Sequence, residues 1–400
     1  MKTRVQIALV STLVSVIIHL YLTSHYFALK FGTAVGQSLC NVSEKLNCDA
    51  VSASTYATAF GVPLSIWGLV VNAVLFGMIL LAWLEWTEHP ERLRRWALLL
   101  SGMSLGASIA MAVVSITLLS NYCLFCIGLY ILSALTFFTY IRVLREPLFM
   151  HLKRDLGKLW AESRGIVLAF ISIPLLALLL NKMYATNIAN VDMSQTVRDA
   201  LAEWDVNPKQ DFVAKPALVT GPAPEKAALT VTEFADFRCG HCKHASYSLD
   251  AFINAHPDVR FEFYNFPLDG ACNEKIPSSD GISCRVAASI TCAENEGKGW
   301  PMHKAMFSKQ DEVLRSKSIS ELDLILSAQV AQLGLNWETF SRCLSDPAVI
   351  DSVRSQAKQG ALVNVQGTPT IFANGRQLNY GQTIPVLQAA REQSLKQKKN

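Results

Sequence analysis

The chain has 400 residues, 51% of them hydrophobic, and a formal net charge of +4; that is enough for two domains, and with no dense basic stripe it excludes a nucleic-acid partner. The apolar share lies mostly in the first half, whereas the second half has the mixture of an ordinary water-exposed domain. Ten cysteines suit an oxidising compartment, and no two CxxC motifs stand at zinc-ribbon distance on one side of a membrane, so no metal is expected.

Five apolar stretches reach or approach the roughly 20 residues that cross a bilayer. They run over Val5–Leu22, Pro63–Trp83, Trp96–Leu119, Leu124–Ile141 and Gly165–Tyr184. The first is long for a signal peptide and is followed by "HYFALKFG" rather than by a small-residue cleavage site, so it is expected to be a retained helix. His19 within it is expected to serve packing. Lys2, Arg4, Arg92, Arg94, Arg95, Arg142, Arg145, Lys153, Arg154, Lys158 and Arg164 crowd one set of flanks, and the other set carries little beyond Lys30, Lys45 and Lys182. By the positive-inside rule the N-terminus is cytoplasmic. Five crossings then put the 24–62 loop, the outer end of the fourth crossing and everything after Tyr184 on the oxidising face.

Cys40 and Cys48 lie in that first loop, and Cys123 and Cys126 open the fourth crossing at i and i+3, on one helix face. A CxxC at the membrane boundary opposite a loop pair suits a disulfide relay, in which each thiolate attacks the next disulfide. Asn72 is a polar residue inside the second crossing. The loop pair at this spacing, the Ser/Thr-rich stretch after it, "GVPLSIWG" entering the second helix and the "NYCLFCIGLY" motif resemble the vitamin K epoxide reductase family in its fused bacterial form. The resemblance spans residues 1–185 and implies a four-helix core around a quinone site, ubiquinone or menaquinone. It also implies that Cys123 takes electrons from the loop pair and that Cys126 lies next to the quinone. Ser54 and Tyr130 match family positions near the quinone ring, with Tyr130 one turn beyond Cys126. Asn72 departs from the tyrosine common at its position in bacterial relatives.

Residues 186–226 turn polar, with "NPKQDF" and "TGPAPEK" as breakers, and suggest a linker holding one amphipathic helix, Met193–Trp204. Next, "AALTVTEFADFRCGHCKHASYSL" places Cys239 at a strand-to-helix junction, where the helix N-terminus favours thiolate. Cys239 is expected to be the nucleophile and Cys242 the resolving thiol, with a protonated His241 adding to the positive field. "VNVQGTPTIFANGRQL" has a Thr-Pro pair where a cis peptide is expected. These features, over residues 227–395, resemble the thioredoxin fold of DsbA-like oxidoreductases, with the stretch from Cys284 to about Lys358 as the inserted helical subdomain. The resemblance makes Thr368 and Pro369 positions that grip substrate. Cys272, Cys284, Cys292 and Cys343 lack redox context and read as structural disulfides, preferably Cys272–Cys284 and Cys292–Cys343, although four cysteines allow three pairings.

The expected fold is therefore a helical membrane bundle joined to an α/β thioredoxin domain in a bacterial inner membrane. Its expected activity is disulfide formation in exported proteins. Electrons pass from Cys239/Cys242 to Cys40/Cys48, to Cys123/Cys126 and to quinone, downhill from a couple near roughly −120 to −180 mV. The partners implied are the lipid bilayer, membrane quinone and reduced exported proteins. Two other readings are an outward reductase or isomerase using the same cysteines, and a membrane-anchored scaffold with inert disulfides.

Overall fold

The computed structural model describes residues 2–43, 45–143, 164–189 and 193–398. It divides into two compact units, one of residues 1–28 with 37–190 and the other of 29–36 with 191–400.

The first unit is helical. It contains α1 (Lys2–Lys30), the short α2 (Cys48–Ala53), α3 (Leu64–Trp83), α4 (Pro90–Thr117), α5 (Leu124–Tyr140) and α6 (Arg164–Ala189). In hydrocarbon every backbone N–H and C=O must be bonded within the segment, which a helix achieves. Four of these helices are long and apolar enough to cross a membrane; α5, at 17 residues, is shorter. Ile17, Met103, Ile109, Ile131 and Leu168 are each more than half exposed, a surface suited to lipid rather than water. The chain is thus a membrane protein.

Part of the basic flank is tied into the bundle. The buried Arg94 guanidinium donates to the Ala82 carbonyl at 3.1 Å and pairs with Glu91. Arg145, Lys153, Arg154 and Lys158 lie outside the described residues. Between α2 and α3 the chain makes a small hairpin, β1 (Thr58–Ala59) against β2 (Val62–Pro63). Its turn residues Phe60 and Gly61 have φ of 54° and 75°, the left-handed pair that a tight hairpin needs. The Trp67 indole N–H donates to the Ala59 carbonyl at 3.1 Å and fixes the hairpin to α3.

The second unit opens with α7 (Met193–Val206) and holds a five-stranded sheet. Its strands are β3 (Leu218–Thr220), β4 (Leu229–Ala235), β5 (Val259–Asn265), β6 (Thr370–Ala373) and β7 (Arg376–Gln377), in the order β3-β5-β4-β6-β7. Only β4 and β5 pair in parallel, joined by α8 (Gly240–Ala255), as a strand–helix–strand crossover requires. Six helices follow β5: α9 (Ile282–Asn295), α10 (Gly299–Ser308), α11 (Gln310–Arg315), α12 (Ile319–Gln332), α13 (Trp337–Leu344) and α14 (Pro347–Leu362). The final helix is α15 (Ile384–Gln397). Phe234, Tyr264, Phe266 and Phe372 form the sheet's aromatic core, with the Phe234 and Tyr264 rings stacked at 4.9 Å.

The 193–226 stretch belongs to the second unit. It contributes α7, whose Trp204 indole donates to the Ala373 carbonyl at 2.8 Å, and β3, which pairs antiparallel with β5. Cys272 is bonded to Cys284 and Cys292 to Cys343.

Candidate functional site

Both CxxC motifs are built the same way. Cys239 is the N-cap of α8 and Cys123 the N-cap of α5. In each, the sulfur accepts from the backbone N–H of the second cysteine, at 3.4 Å for Cys239 and 3.1 Å for Cys123. An extended N-cap residue turns its side chain back over the first helical turn, so a CxxC at a helix start places one sulfur over free N–H groups and the other one turn inside.

In the second unit Cys239 is half-buried and Cys242 fully buried. The Cys239 thiol is pulled down to about 6, first by the hydrogen bond from the Cys242 side chain, then by Thr368 and the N–H groups of Cys242 and His241, against desolvation. Burial, then the hydrogen bond to Cys239, push Cys242 well above the ordinary thiol range. One sulfur is therefore a thiolate at neutral pH and its partner a held proton, a division suited to attack followed by resolution. The Thr368–Pro369 peptide is cis, and the Thr368 carbonyl accepts from the Cys239 thiol at 3.2 Å. His241 is exposed beside the pair. The Asp236 carboxylate accepts from the N–H groups of Arg238 (2.7 Å) and Leu268 (3.0 Å), and the Gln310 amide donates to the Phe237 and Cys239 carbonyls, each at 2.8 Å. Together they lock the turn that presents Cys239.

Glu233 was not singled out from the sequence. It is fully buried on β4 with both carboxylate oxygens unpartnered, and burial, then the charge of Cys239, raise it to about 8. Its signal was there to see, a lone carboxylate inside the apolar run "TVTEFADF".

In the first unit Cys40 and Cys48 form a disulfide, while Cys123 and Cys126 are free thiols. The Cys40, Cys48 and Cys123 sulfurs all lie within 4.8 Å of one another. Backbone pairing brings them together: Asn47 N–H donates to the Tyr122 carbonyl at 2.9 Å, and Tyr122 N–H to the Lys45 carbonyl at 2.7 Å. The loop that carries Cys48 is thus clamped to the residue preceding Cys123.

Beneath this cluster lies a cavity of about 490 Å³, lined by Cys123 and Cys126 and also by Ser54, Asn72 and Tyr130. The Ser54 hydroxyl donates to the Val51 carbonyl at 2.7 Å and the Asn72 amide to the Gly68 carbonyl at 2.8 Å. The His19 ring packs against Gly68, where a Cβ would stand 2.1 Å from it. Ser104, Ser108, Met111 and Ser115 of α4 line the same cavity. Their spacing of four, three and four residues puts them on one helical face, a periodicity visible in the sequence. An apolar cavity of this size with a few polar groups fits a quinone ring, and nothing in its lining conflicts with one.

Two dithiol motifs cap helices, one of them against a loop disulfide in a bundle of membrane-length helices, an arrangement suited to thiol–disulfide exchange. Residues 6–141 match the vitamin K epoxide reductase family, and residues 230–391 match the DSBA-like thioredoxin domain. The chain is a fusion of these two family domains.

Among curated proteins, a Na(+)/H(+) antiporter NhaA of Herminiimonas arsenicoxydans is 27% identical over 226 residues, 56% of this chain and 31% of the antiporter. Na(+)/H(+) antiporter NhaA 3 of Salinispora tropica is 28% identical over 185 residues, 46% of this chain and 25% of that protein. The chain spans about a third or less of the length of these relatives. Among solved structures, oxidised BdbD from Bacillus subtilis is 21% identical, with 48% of this chain and 98% of that one covered at a TM-score of 0.39. Oxidoreductase DsbA from Xylella fastidiosa is also 21% identical, with 45% and 90% covered at a TM-score of 0.35.

Proposed function

We propose that the protein forms disulfides in exported proteins and delivers the electrons to a membrane quinone. Reduced client thiols are oxidised at Cys239/Cys242, and the electron pair moves to Cys40/Cys48 and then to Cys123/Cys126. His241, Thr368 and Pro369 grip the client, and Ser54, Asn72 and Tyr130 hold the quinone. A bound quinone, ubiquinone or menaquinone, takes up two electrons and two protons for each disulfide made. The working parts are residues 1–185, a connecting stretch over 186–226 and residues 227–395. They sit in a bacterial inner membrane, with the N-terminus cytoplasmic and the thioredoxin-like part outside.

The observation that carries this reading is the gathering of three sulfurs within 4.8 Å above a cavity that Cys126 shares. Direction is supported at the other end of the path. A thiolate stabilised at Cys239 stabilises the reduced form, which makes the couple a stronger oxidant and favours an oxidase over a reductase.

The test is oxidation of a reduced dithiol peptide by the purified protein in detergent. One quinone should be reduced per peptide disulfide formed, and omitting quinone should leave a single turnover. Sustained oxidation without quinone would refute the reading.

A further inference from the structure

We propose that α1 carries a latch for the loop disulfide, in which Tyr21 and His25 act as positioning residues through Ser38 and Asp49. This rests on the reading of Cys40/Cys48 as a redox station.

Asp49 directly follows Cys48 and is only 3% exposed. One oxygen lies 2.6 Å from His25 Nε2. The other accepts from the Asn41 side-chain amide at 2.7 Å and from Ser38 N–H at 3.2 Å. Asn41, which directly follows Cys40, returns the contact: its side-chain oxygen accepts from the N–H of Cys48 at 2.8 Å. The residues flanking the two cysteines are thus tied across the disulfide by a buried carboxylate, and His25 ties that carboxylate to α1.

A second tie lies one helical turn back. The Tyr21 hydroxyl accepts from Leu39 N–H at 2.9 Å and is 3.1 Å from the Ser38 hydroxyl. The Ser38 hydroxyl in turn lies 3.1 Å from the Cys40 sulfur. The Tyr21 ring stacks on His25 at 5.9 Å and meets Phe125 edge-on at 5.5 Å, inside the Cys123–Cys126 motif. One helix face therefore holds the loop pair and touches the motif that receives electrons from its reduced form.

Closed in this way, Cys40 and Cys48 are 0% and 1% exposed and lie beside Cys123. That arrangement favours hand-off to Cys123 and shields the loop from outside thiols. Reception of electrons requires the latch to open; delivery requires it to close. In the closed state a Cys48 thiolate attacks a Cys123–Cys126 bond, a Cys48–Cys123 bond forms, and Cys126 leaves as a thiolate; Cys40 then attacks Cys48, which closes the Cys40–Cys48 bond and releases Cys123. The Ser38 hydroxyl is placed to donate to the Cys40 thiolate before that second attack. The exchange is internal, with the Cys123–Cys126 disulfide as its oxidant.

The test uses the full chain in detergent with Asp49→Asn, which puts an N–H against existing donors, and with Tyr21→Phe, which removes only the hydroxyl. Two quantities are read: the rate at which dithiothreitol reduces Cys40–Cys48, and the fraction of loop–Cys123 disulfide formed in a Cys126→Ser background. Loss of one buried charge-assisted hydrogen bond should change each by about tenfold in Asp49→Asn, the rate upward and the fraction downward, at an unchanged melting midpoint. Tyr21→Phe should move both the same way by a smaller factor, and it decides the matter if Asp49→Asn does not fold. Both readouts within twofold of the parent, or changes that follow only a lowered melting midpoint, overturn the latch. Absence of any loop–Cys123 disulfide in Cys126→Ser with the latch intact refutes the underlying relay instead, and the latch with it.

Discussion

Cys239 and Cys242 are separated by two residues and stand at opposite ends of the thiol range, because one caps a helix and the other is sealed behind it. Alkylation of the reduced protein at Cys239 should therefore rise with pH around a midpoint near 6, with Cys242 unreactive throughout; peptide mapping after an iodoacetamide pulse reads both. The linkage has a definite sign. The Cys239 value is lowered from 9.0 on folding, so its stabilisation of the reduced form is full above about pH 9 and is lost as pH falls through 6. Glu233 runs the other way. Raised from 4.5 to about 8, it contributes stability that is full below pH 4.5 and lost as pH rises through 8. Glu233→Gln should match the parent's thermal midpoint near pH 4.5 and exceed it increasingly up to pH 8; melts of the full chain across that range test this, and equal midpoints at pH 8 would contradict it. The helix-start cysteines were legible in the sequence because a strand pattern ending in CxxC fixes the N-cap. The burial of Glu233 and the hydrogen bonds of Asp49 were not, since both depend on side chains brought in from distant positions.

At the level of elements, what could be read in advance was whatever repeats locally. The apolar runs became helices, and the polar 193–206 segment became the amphipathic α7. Bounds moved where tertiary contacts extend an element: α1 continues past Leu22 to Lys30, carrying His25 to Asp49. Short elements escaped notice, because α2 is a single capped turn and β3 an edge strand of three residues that exists only through its pairing with β5. The two disulfides of the helical insertion differ in span, 12 residues for Cys272–Cys284 and 51 for Cys292–Cys343. If chain entropy governs their worth, replacing the first pair with serine should cost about 3 kcal/mol and the second about 4 kcal/mol. Denaturant titration of the double variants tests the ranking, and peptide oxidation should persist in both. Loss of turnover in a folded Cys272/Cys284 variant would instead give that pair a place in the electron path.

For the whole molecule the proposed path requires the thiols of both family domains on one side of the membrane, since thiols on opposite faces cannot exchange. The proposed orientation, drawn from the Lys/Arg asymmetry, has that side outside the cytoplasm, so a reporter fused after Lys226 should be active only when exported, and one fused near Lys153 only in the cytoplasm. The reverse pattern would invert the path. The order of stations is tested by removing resolving thiols. A mixed disulfide is normally short-lived because the second cysteine of the pair cleaves it. Without Cys242, the bond that Cys239 makes with its acceptor has nothing to release it and should accumulate. The resemblance to the vitamin K epoxide reductase family assigns Cys40 as the receiving sulfur, which leaves Cys48 to act on Cys123. Cys242→Ser should therefore accumulate a Cys239–Cys40 cross-link, and Cys126→Ser a Cys48–Cys123 cross-link, both visible by peptide mapping without reductant. The second is already favoured by geometry, with the Cys48 and Cys123 sulfurs within 4.8 Å and the backbone of Asn47 bonded to that of Tyr122. A Cys239–Cys123 bond in the first variant would show that the loop pair is bypassed, and a bond from Cys239 to Cys272 or Cys284 would move the path into the helical insertion. In either case the chain could still oxidise thiols, but the loop pair, and the latch that holds it, would no longer lie on the route.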